Sequence, residues 1–280
     1  MKSATLQGMA TPRPAEVARM TGAEVRDSFL VSGLFEPGAV RMVLTGLDRM
    51  ALGGAMPAAD GDLALPDPPE FGTRFFTERR ELGLINIGDP GCVSAGDARF
   101  HLDRLDCLYI GSGQERVVFH AAETGQPMYY LLSCPAHRSL APKKTSPADS
   151  RTLQVGDEEH SSRRRIVQCI HPDGVESCQL VMGYTELAPG SVWNTMPPHT
   201  HSRRSEIYFY FDLTDNIVVH LLGEPGHTRH LIVRDRQAAL SPPWSIHSGV
   251  GTSSYRFIWG MAGENQEFGD MDPVSLEELK

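Results

Sequence analysis

Residues 196–206 read Met-Pro-Pro-His-Thr-His-Ser-Arg-Arg-Ser-Glu, and a later segment, residues 244–247, reads Trp-Ser-Ile-His. His199 and His201 are two positions apart, so in an extended strand their side chains point to the same face. A surface pair of histidines is the commoner explanation for His-x-His alone. Glu206 and His247 add a carboxylate and a third imidazole, a donor set that suits zinc, iron, nickel or manganese better than calcium or magnesium. The sequence therefore predicts a metal site formed by His199, His201, Glu206 and His247.

The composition limits the possible partners. With 280 residues, 40% of them hydrophobic and 22% charged, the chain is long enough for one large β domain or two smaller ones. A net charge of −9 and a pI near 5.6 argue against a nucleic-acid partner. No apolar run reaches the length of a membrane span, the N-terminus lacks a signal-peptide core, and the cysteines form no C-x-x-C pair. We therefore expect a cytoplasmic protein with reduced thiols and no membrane partner.

The hydrophobic pattern and the composition divide the chain into segments. The first 30 residues carry the helical signal, because Val17, Met20, Val25 and Phe29 recur at roughly helical spacing. From about residue 75, short apolar runs separated by Gly, Pro, Asp and Asn are typical of β-sandwiches and barrels. Residues 135–165, rich in Pro, Ser, Lys and Arg, are predicted to link two β units. This predicts an N-terminal arm over 1–70 that forms an interface, a first β unit over 71–150 without metal ligands, and a metal-binding unit over 151–280.

Longer strings carry a resemblance to a known family. Residues 81–88 (ELGLINIG), 193–197 (WNTMP), 199–201 (HTH), 244–251 (WSIHSGVG) and 259–266 (WGMAGENQ) resemble the 5-keto-4-deoxyuronate isomerases of the cupin superfamily. The similarity runs from about residue 25 to the C-terminus. It implies an all-β bicupin fold, two tandem jelly-roll barrels after a short helical segment, with a degenerate first cupin. It also implies a homohexamer with one Zn²⁺ per subunit, held by the four ligands named above. Trp244 stands where most cupins have glycine, a departure that this family tolerates.

The resemblance also implies an activity. Members are aldose–ketose isomerases of pectin and polyuronide catabolism, which convert a small uronate, 4-deoxy-L-threo-5-hexosulose uronate, to 3-deoxy-D-glycero-2,5-hexodiulosonate. A proton moves from C2 to C1, and a divalent metal would polarise the carbonyl. Two alternatives stay open: an iron-dependent cupin dioxygenase, and a sugar-binding cupin without turnover. The sequence contains no G-x-S-x-G, H-E-x-x-H or Walker motif, which argues against the corresponding hydrolase and nucleotide-binding classes.

Four residues close to the predicted ligands are candidates to handle the proton or to bind the substrate carboxylate. Tyr208 and Tyr210 alternate with Glu206, so all three can face one side of a strand; the alternative for the tyrosines is packing inside the barrel. Arg203 and Arg204 are candidates to bind the substrate carboxylate through bidentate hydrogen bonds, with a solvated turn as the alternative. The basic runs at residues 143–144 and 163–165 are interpreted as solvated linker charge. The general base is not identified.

Overall fold

The structure, a computed structural model, describes residues 5–59 and 61–280, and its secondary structure is mainly β. Its helices are α1 (Pro14–Val17) and α2 (Gly22–Phe29), with short 3₁₀ turns at Pro69–Phe71, Phe76–Glu78 and Leu276–Glu278. Its strands, in chain order, are β1 (Thr5–Met9), β2 (Leu30–Val31), β3 (Ala39–Thr45), β4 (Ala51–Met56), β5 (Leu63–Ala64), β6 (Arg80–Asn86), β7 (Gly91–Ala95), β8 (Ala98–Leu102), β9 (Cys107–Ile110), β10 (Val117–Phe119), β11 (Tyr129–Pro135), β12 (Lys143–Thr145), β13 (Arg151–Val155), β14 (Arg164–Ile170), β15 (Val181–Leu187), β16 (Trp193–Asn194), β17 (His199–Thr200), β18 (Arg204–Phe211), β19 (Val218–Glu224), β20 (His227–Val233), β21 (Gln237–Ser241), β22 (Ser248–Gly251), β23 (Arg256–Gly263) and β24 (Asp272–Pro273).

The chain forms two compact units whose boundaries differ from the predicted ones. The first unit combines the N-terminal residues up to Met9 with Gly33–Ser150 and Cys169–Val181, and the second combines Ala10–Ser32, Arg151–Gln168 and Met182–Lys280. Much of the predicted N-terminal arm is therefore sheet, because the apolar residues of β3 and β4 are buried in the first unit. The predicted linker is also structured, since it contains β12, β13 and the start of β14. A role of residues 1–70 in an interface stays a prediction.

The first unit is a sandwich of two sheets. A seven-stranded sheet has the order β1-β3-β4-β11-β6-β9-β12, and a four-stranded sheet has the order β5-β10-β7-β8. Along β7, buried residues alternate with half-buried ones, as expected for a strand with one face on a core. Apolar side chains of both sheets share one core, in which the rings of Phe119 and Tyr129 lie 5.4 Å apart. This is the predicted jelly-roll architecture.

A buried carboxylate on β6 holds the Cys169–Val181 segment within this unit. Glu81 is fully buried and accepts hydrogen bonds from three consecutive backbone N–H groups, those of Cys178 (2.7 Å), Gln179 (2.8 Å) and Leu180 (2.7 Å). The hydroxyl of Tyr109 donates a fourth, at 2.7 Å. A buried polar group is tolerated when its hydrogen-bonding capacity is satisfied in this way. Glu81 thus supplies acceptors for the backbone N–H groups of residues 178–180, which lie outside the strands.

The second unit repeats the plan. Its seven-stranded sheet has the order β13-β14-β15-β23-β18-β21-β2, and its four-stranded sheet has the order β16-β22-β19-β20. Strand β18 lies between β21 and β23 and is buried along its whole length. A two-stranded pairing joins β17 to β24, which brings the C-terminal segment alongside His199. The sheet interior of this unit therefore receives residues from β18 and from the segments before and after it.

Three further predictions can be compared with the structure. The helices α1 and α2 lie within the first 30 residues, where helical spacing predicted them, and α2 begins with a capping box formed by Thr21 and Glu24. All five cysteines are free thiols, as predicted. In the described part of the chain, no helix has the length and apolar character needed to cross a bilayer.

Candidate functional site

The four predicted ligands come from three parts of the second unit. His199 lies on β17, and a turn after it, closed by the Arg204 N–H donating to the His201 carbonyl at 3.0 Å, leads into β18. Glu206 is on β18, directly opposite Ser241 of β21. His247 follows the turn after β21, in which the Ser245 N–H donates to the Pro242 carbonyl. The register of two neighbouring strands therefore brings the later histidine back to the first three ligands.

The four side chains converge on one point. Their ligand atoms all lie within 4.8 Å of one another. The Nε2 atom of His199 is 3.1 Å from that of His201 and 3.0 Å from that of His247. Glu206 Oε2 is 3.2 Å from His201 Nε2 and 2.9 Å from His247 Nε2. Three imidazole nitrogens and one carboxylate oxygen facing a common centre fit a transition metal or zinc.

The C-terminal segment orients one of these imidazoles. His201 Nδ1 lies 2.9 Å from the backbone carbonyl of Asp270, which can only accept, so Nδ1 carries the proton. Arg204 Nη2 is 3.3 Å from the same Nδ1, but it donates its shorter bond, at 2.6 Å, to that carbonyl. With the proton on Nδ1, the lone pair of His201 is on Nε2 and faces the cluster. Such an outer hydrogen bond is the usual way a protein fixes the tautomer of a metal-binding histidine.

His247 has an outer partner of the same kind, since its Nδ1 lies 3.1 Å from Ser241 Oγ on β21. We expect Ser241→Ala to weaken the binding of added Zn²⁺, used as the probe metal, about 10- to 100-fold, because the imidazole loses the group that orients it. Zinc affinity measured by competition with a chromophoric chelator checks this. Ser253→Ala, at an exposed turn serine, is the control and should leave zinc affinity unchanged. Equal affinities for the two variants would contradict the orienting role.

The electrostatics favour the protonation states that a metal needs. Burial, reinforced by His247 and His201, lowers the pKa of His199 to about 2, so its imidazole is neutral at physiological pH. Burial alone would raise the pKa of Glu206, but His247 and His201 lower it further than burial raises it. Glu206 is therefore an ionised carboxylate. Neutral imidazole and carboxylate are the forms that coordinate metal ions.

The cluster opens into a cavity of about 300 Å³. Its wall is mostly apolar and aromatic, with Phe257 and Trp259 from β23, and Phe268 and Met271 from the C-terminal segment. Among the described residues, the titratable side chains that line it are His199, His201, Glu206, Tyr208 and Arg164. A small polar molecule in this cavity would thus meet the cluster, one phenol and one guanidinium in largely apolar surroundings.

The two candidate tyrosines separate in the structure. Tyr208 lines the cavity, its ring centroid lies 5.2 Å from that of His247, and its hydroxyl is 3.1 Å from Thr195 Oγ1. Tyr210, which is not among the lining residues, bonds His220 Nδ1 at 2.7 Å instead. Both are buried, as the packing alternative expected. Only Tyr208, however, is placed to touch a ligand of the cavity.

The two candidate arginines bind the C-terminal segment. Arg203 forms salt bridges with Asp270 and Asp272, the second at 2.9 Å. Arg204 is buried and donates to the backbone carbonyls of Glu267 and Asp270, both at 2.6 Å. Neither arginine lines the cavity in the described part of the chain. These contacts give no support to the prediction that Arg203 or Arg204 binds substrate.

Sequence analysis named four of the lining residues as site residues, His199, His201, Glu206 and Tyr208, and missed the others, among them Arg164, Phe268 and Met271. Arg164 was interpreted as part of a solvated basic run, yet it lines the cavity beside Thr185 and Tyr208. Phe268 and Met271 belong to the acidic C-terminal segment, in which no apolar periodicity marks them. The signal that could have placed Arg164 in the cavity is the alternation of side chains along β14. Residues two positions apart share a face of a strand, and Ile166 lines the same cavity.

Comparison with known sequences places the chain in a family. The model of the KduI/IolB family matches residues 72–275. The 4-deoxy-L-threo-5-hexosulose-uronate ketol-isomerase of Opitutus terrae is 54% identical over 271 residues, which cover 96% of this chain and 98% of that protein. The protein of the same name from Caldicellulosiruptor bescii is 47% identical over 269 residues, covering 95% and 97%. The similarity therefore extends over nearly the whole of each chain.

Solved structures support the fold. An IolB-like protein from Salmonella typhimurium superposes with a TM-score of 0.71 at 14% identity, covering 88% of this chain and 96% of that one. Oxalate decarboxylase from Bacillus subtilis, a protein with Mn(II) centres, superposes with a TM-score of 0.57 at 11% identity, covering 81% and 71%. At these identities the likeness concerns the fold alone, and it confirms the predicted bicupin. With the family model matching most of the chain and relatives similar over nearly their full length, the chain belongs to the KduI/IolB family.

Proposed function

We propose that this chain is a 4-deoxy-L-threo-5-hexosulose-uronate ketol-isomerase, which converts that uronate to 3-deoxy-D-glycero-2,5-hexodiulosonate in the breakdown of pectin and related polyuronides. One observation carries the proposal: a cluster of three histidines and a glutamate opens into a small cavity, in a chain whose near-full-length relatives bear this name. The reaction moves one proton from C2 to C1 and one from O2 to O1. It needs a group that polarises the carbonyl and a group that handles protons.

We propose one Zn²⁺ per subunit, held by His199, His201, Glu206 and His247. The donor set, the convergence of the Nε2 atoms and the ionised state of Glu206 support this assignment. When bound, such an ion acts as a Lewis acid on the sugar carbonyl and its neighbouring hydroxyl. Asp270 and Ser241 orient two of the ligands, His201 and His247, and the mostly apolar wall of the cavity would surround the reacting end of the substrate.

Tyr208 is the proton-handling group that we propose beside this cluster. Burial, with a contribution from Glu206, raises the pKa of Tyr208 well above its ordinary value, so the phenol is protonated at neutral pH. It therefore acts as a hydrogen-bond and proton donor toward a sugar oxygen, and not as the base that takes the C2 proton. The hydroxyl of Thr195, 3.1 Å away, fixes its direction.

We expect Tyr208→Phe to lower kcat about 100-fold, because one positioned proton donor contributes on this scale. Tyr210→Phe is the matched control, since it removes a hydroxyl from the same strand but from a side chain directed at His220. It should retain kcat within a few-fold. Zinc content and circular dichroism should match the wild type in both variants. Equal kcat values for Tyr208→Phe and wild type would remove Tyr208 from the reaction.

The function itself is tested by incubating zinc-loaded protein with 4-deoxy-L-threo-5-hexosulose uronate and following the ketose product by chromatography, with an oxygen electrode in parallel. Stoichiometric conversion without oxygen consumption supports the isomerase. Oxygen uptake by iron-loaded protein would instead favour the dioxygenase alternative. Recovery of unchanged ligand from a tight complex would favour a sugar-binding protein without turnover.

Assembly and location belong to the same proposal. We propose a homohexamer in the cytoplasm, as the family resemblance implies. Multi-angle light scattering should then give six times the 30.8 kDa chain mass, and a monomer mass would contradict the assembly. Cell fractionation checks the location.

A further inference from the structure

The cavity contains one cationic side chain outside the histidine cluster. Among the described residues that line it, Arg164 is the only lysine or arginine. The other lining residues away from the cluster are apolar, aromatic or hydroxyl-bearing. A guanidinium in such surroundings is a specific feature, since apolar cavities usually carry few polar groups and those groups set ligand orientation.

The pleat of β14 explains why Arg164 faces inward while its neighbours do not. Arg164 and Ile166 both line the cavity. Arg165, on the opposite face of the strand, donates from Nε to Glu186 at 2.8 Å. Arg163, just before the strand, pairs with Glu158 at the surface. The three consecutive arginines thus lie in three different environments, and only the middle one, Arg164, lines the cavity.

The hydrogen bond that Arg164 makes within the protein uses only part of its guanidinium N–H donors. Its Nη1 donates to the Ser162 carbonyl at 2.9 Å, and no carboxylate of the described residues pairs with it. Burial lowers the pKa of Arg164, while the phenols of Tyr208 and Tyr255 raise it, and an arginine stays charged under such shifts. A half-buried cation without a carboxylate partner is unfavourable, so the guanidinium donors that face the cavity favour an anionic ligand. Arg203, by contrast, is already neutralised by Asp270 and Asp272.

We propose that Arg164 binds the carboxylate of the substrate and so restricts the cavity to sugar acids. The inference rests on the proposed function, and it assigns a specificity-determining residue that the basic run in the sequence does not reveal. The guanidinium fork matches a carboxylate bidentately, whereas a neutral hydroxymethyl group at the same position would leave the charge unpaired. An uncharged sugar of the same length is therefore rejected at this end of the cavity, and the reacting end of a uronate is held at the cluster.

The test compares Arg164→Gln and Arg164→Lys on two substrates: the uronate, and an analogue in which a hydroxymethyl group replaces its carboxylate. Arg164→Gln should raise KM for the uronate about 100-fold, the scale for truncating one partner of an enclosed ion pair. Arg164→Lys should fall between, because it keeps the charge but loses the fork. The analogue should be turned over poorly by the wild type and by Arg164→Lys, and better by Arg164→Gln, because that variant has no charge to leave unpaired. Arg163→Gln, at the surface, is the control and should behave as wild type.

An unchanged KM for the uronate in Arg164→Gln, or an equal loss of activity on both substrates, would overturn the assignment. Thermal unfolding and zinc content identify a variant that fails to fold, in which case Arg164→Lys decides. Failure of the wild type to convert the uronate would instead contradict the proposed function. Calorimetric titration of each variant with the uronate then still tests Arg164, and equal affinities of wild type and Arg164→Gln would refute it.

Discussion

Replacing His247 with Ala is expected to lower kcat/KM at least about 10³-fold and to reduce the zinc content from the proposed one ion per chain to a small fraction. His247 supplies one of three imidazole nitrogens, and its Nε2 lies 3.0 Å from that of His199 and 2.9 Å from Glu206 Oε2. Loss of a Lewis acid removes several kcal/mol of transition-state stabilisation, and about 4 kcal/mol corresponds to 10³ in rate. Metal analysis and steady-state kinetics on the same sample measure both effects.

His230→Ala is the matched control, because His230 lies on β20 of the same unit and is exposed. It should keep full zinc content and activity. Thermal unfolding of both variants separates a loss of metal from a loss of fold. Full activity in a His247→Ala protein that contains no metal would contradict a catalytic role for the cluster.

Replacing Glu81 with Ala is expected to cost the first unit at least about 3 kcal/mol of unfolding free energy. Two buried donors, the Leu180 N–H and the Tyr109 hydroxyl, and two part-buried donors, the N–H groups of Cys178 and Gln179, lose their acceptor, and a buried donor left without a partner costs about 1 kcal/mol or more. Urea unfolding followed by circular dichroism should show a transition at lower denaturant concentration. The quantity to compare is the urea concentration at the midpoint of the transition. An extrapolated free energy requires two-state unfolding, which a chain with two compact units need not show.

Glu115→Ala provides the comparison, since it removes the same carboxylate from an exposed turn residue of the same unit. Its midpoint should equal that of the wild type. If Glu81→Ala also unfolds at the wild-type midpoint, the Glu81 hydrogen bonds do not hold the Cys169–Val181 segment in place.

The sequence predicted which residues form the cluster but not how they meet. His199 and His201 share a face by strand parity, whereas Glu206, five residues on, would face the other way in one continuous strand. The turn that begins at His201 breaks the strand into β17 and β18 and restores the parity. His247 reaches the cluster through the pairing of β18 with β21, which no local pattern encodes. The donor types in the motif therefore predicted the four ligands, and the turn and the strand pairing that bring them together are visible only in the structure.

The burial depth and the direction of individual side chains in the second unit were the features hardest to predict from the sequence. Parity placed Tyr208 and Tyr210 on one face correctly, but it could not tell that one hydroxyl reaches the cavity and the other reaches His220. A run of three arginines is usually solvated, and only the sheet context turns Arg164 inward. Arg203 pairs with Asp270 and Asp272 because β24 lies beside β17, a contact between distant parts of the chain. Such long-range pairings determine which side chains of the second unit face the cavity.

In the proposed function, the isomerisation transfers a proton and depends on a metal ion that His199, His201, Glu206 and His247 would hold. Proton NMR of the zinc-loaded protein with 4-deoxy-L-threo-5-hexosulose uronate in D₂O, before chelation, after chelation and after zinc return, tests it most directly. We expect the aldehyde signals to decay and a ketose to appear that carries deuterium on the former aldehyde carbon, C1 of the substrate. Chelation should stop the conversion, and zinc should restore it. Conversion that continues at the same rate in the chelated, metal-free protein would contradict the claim.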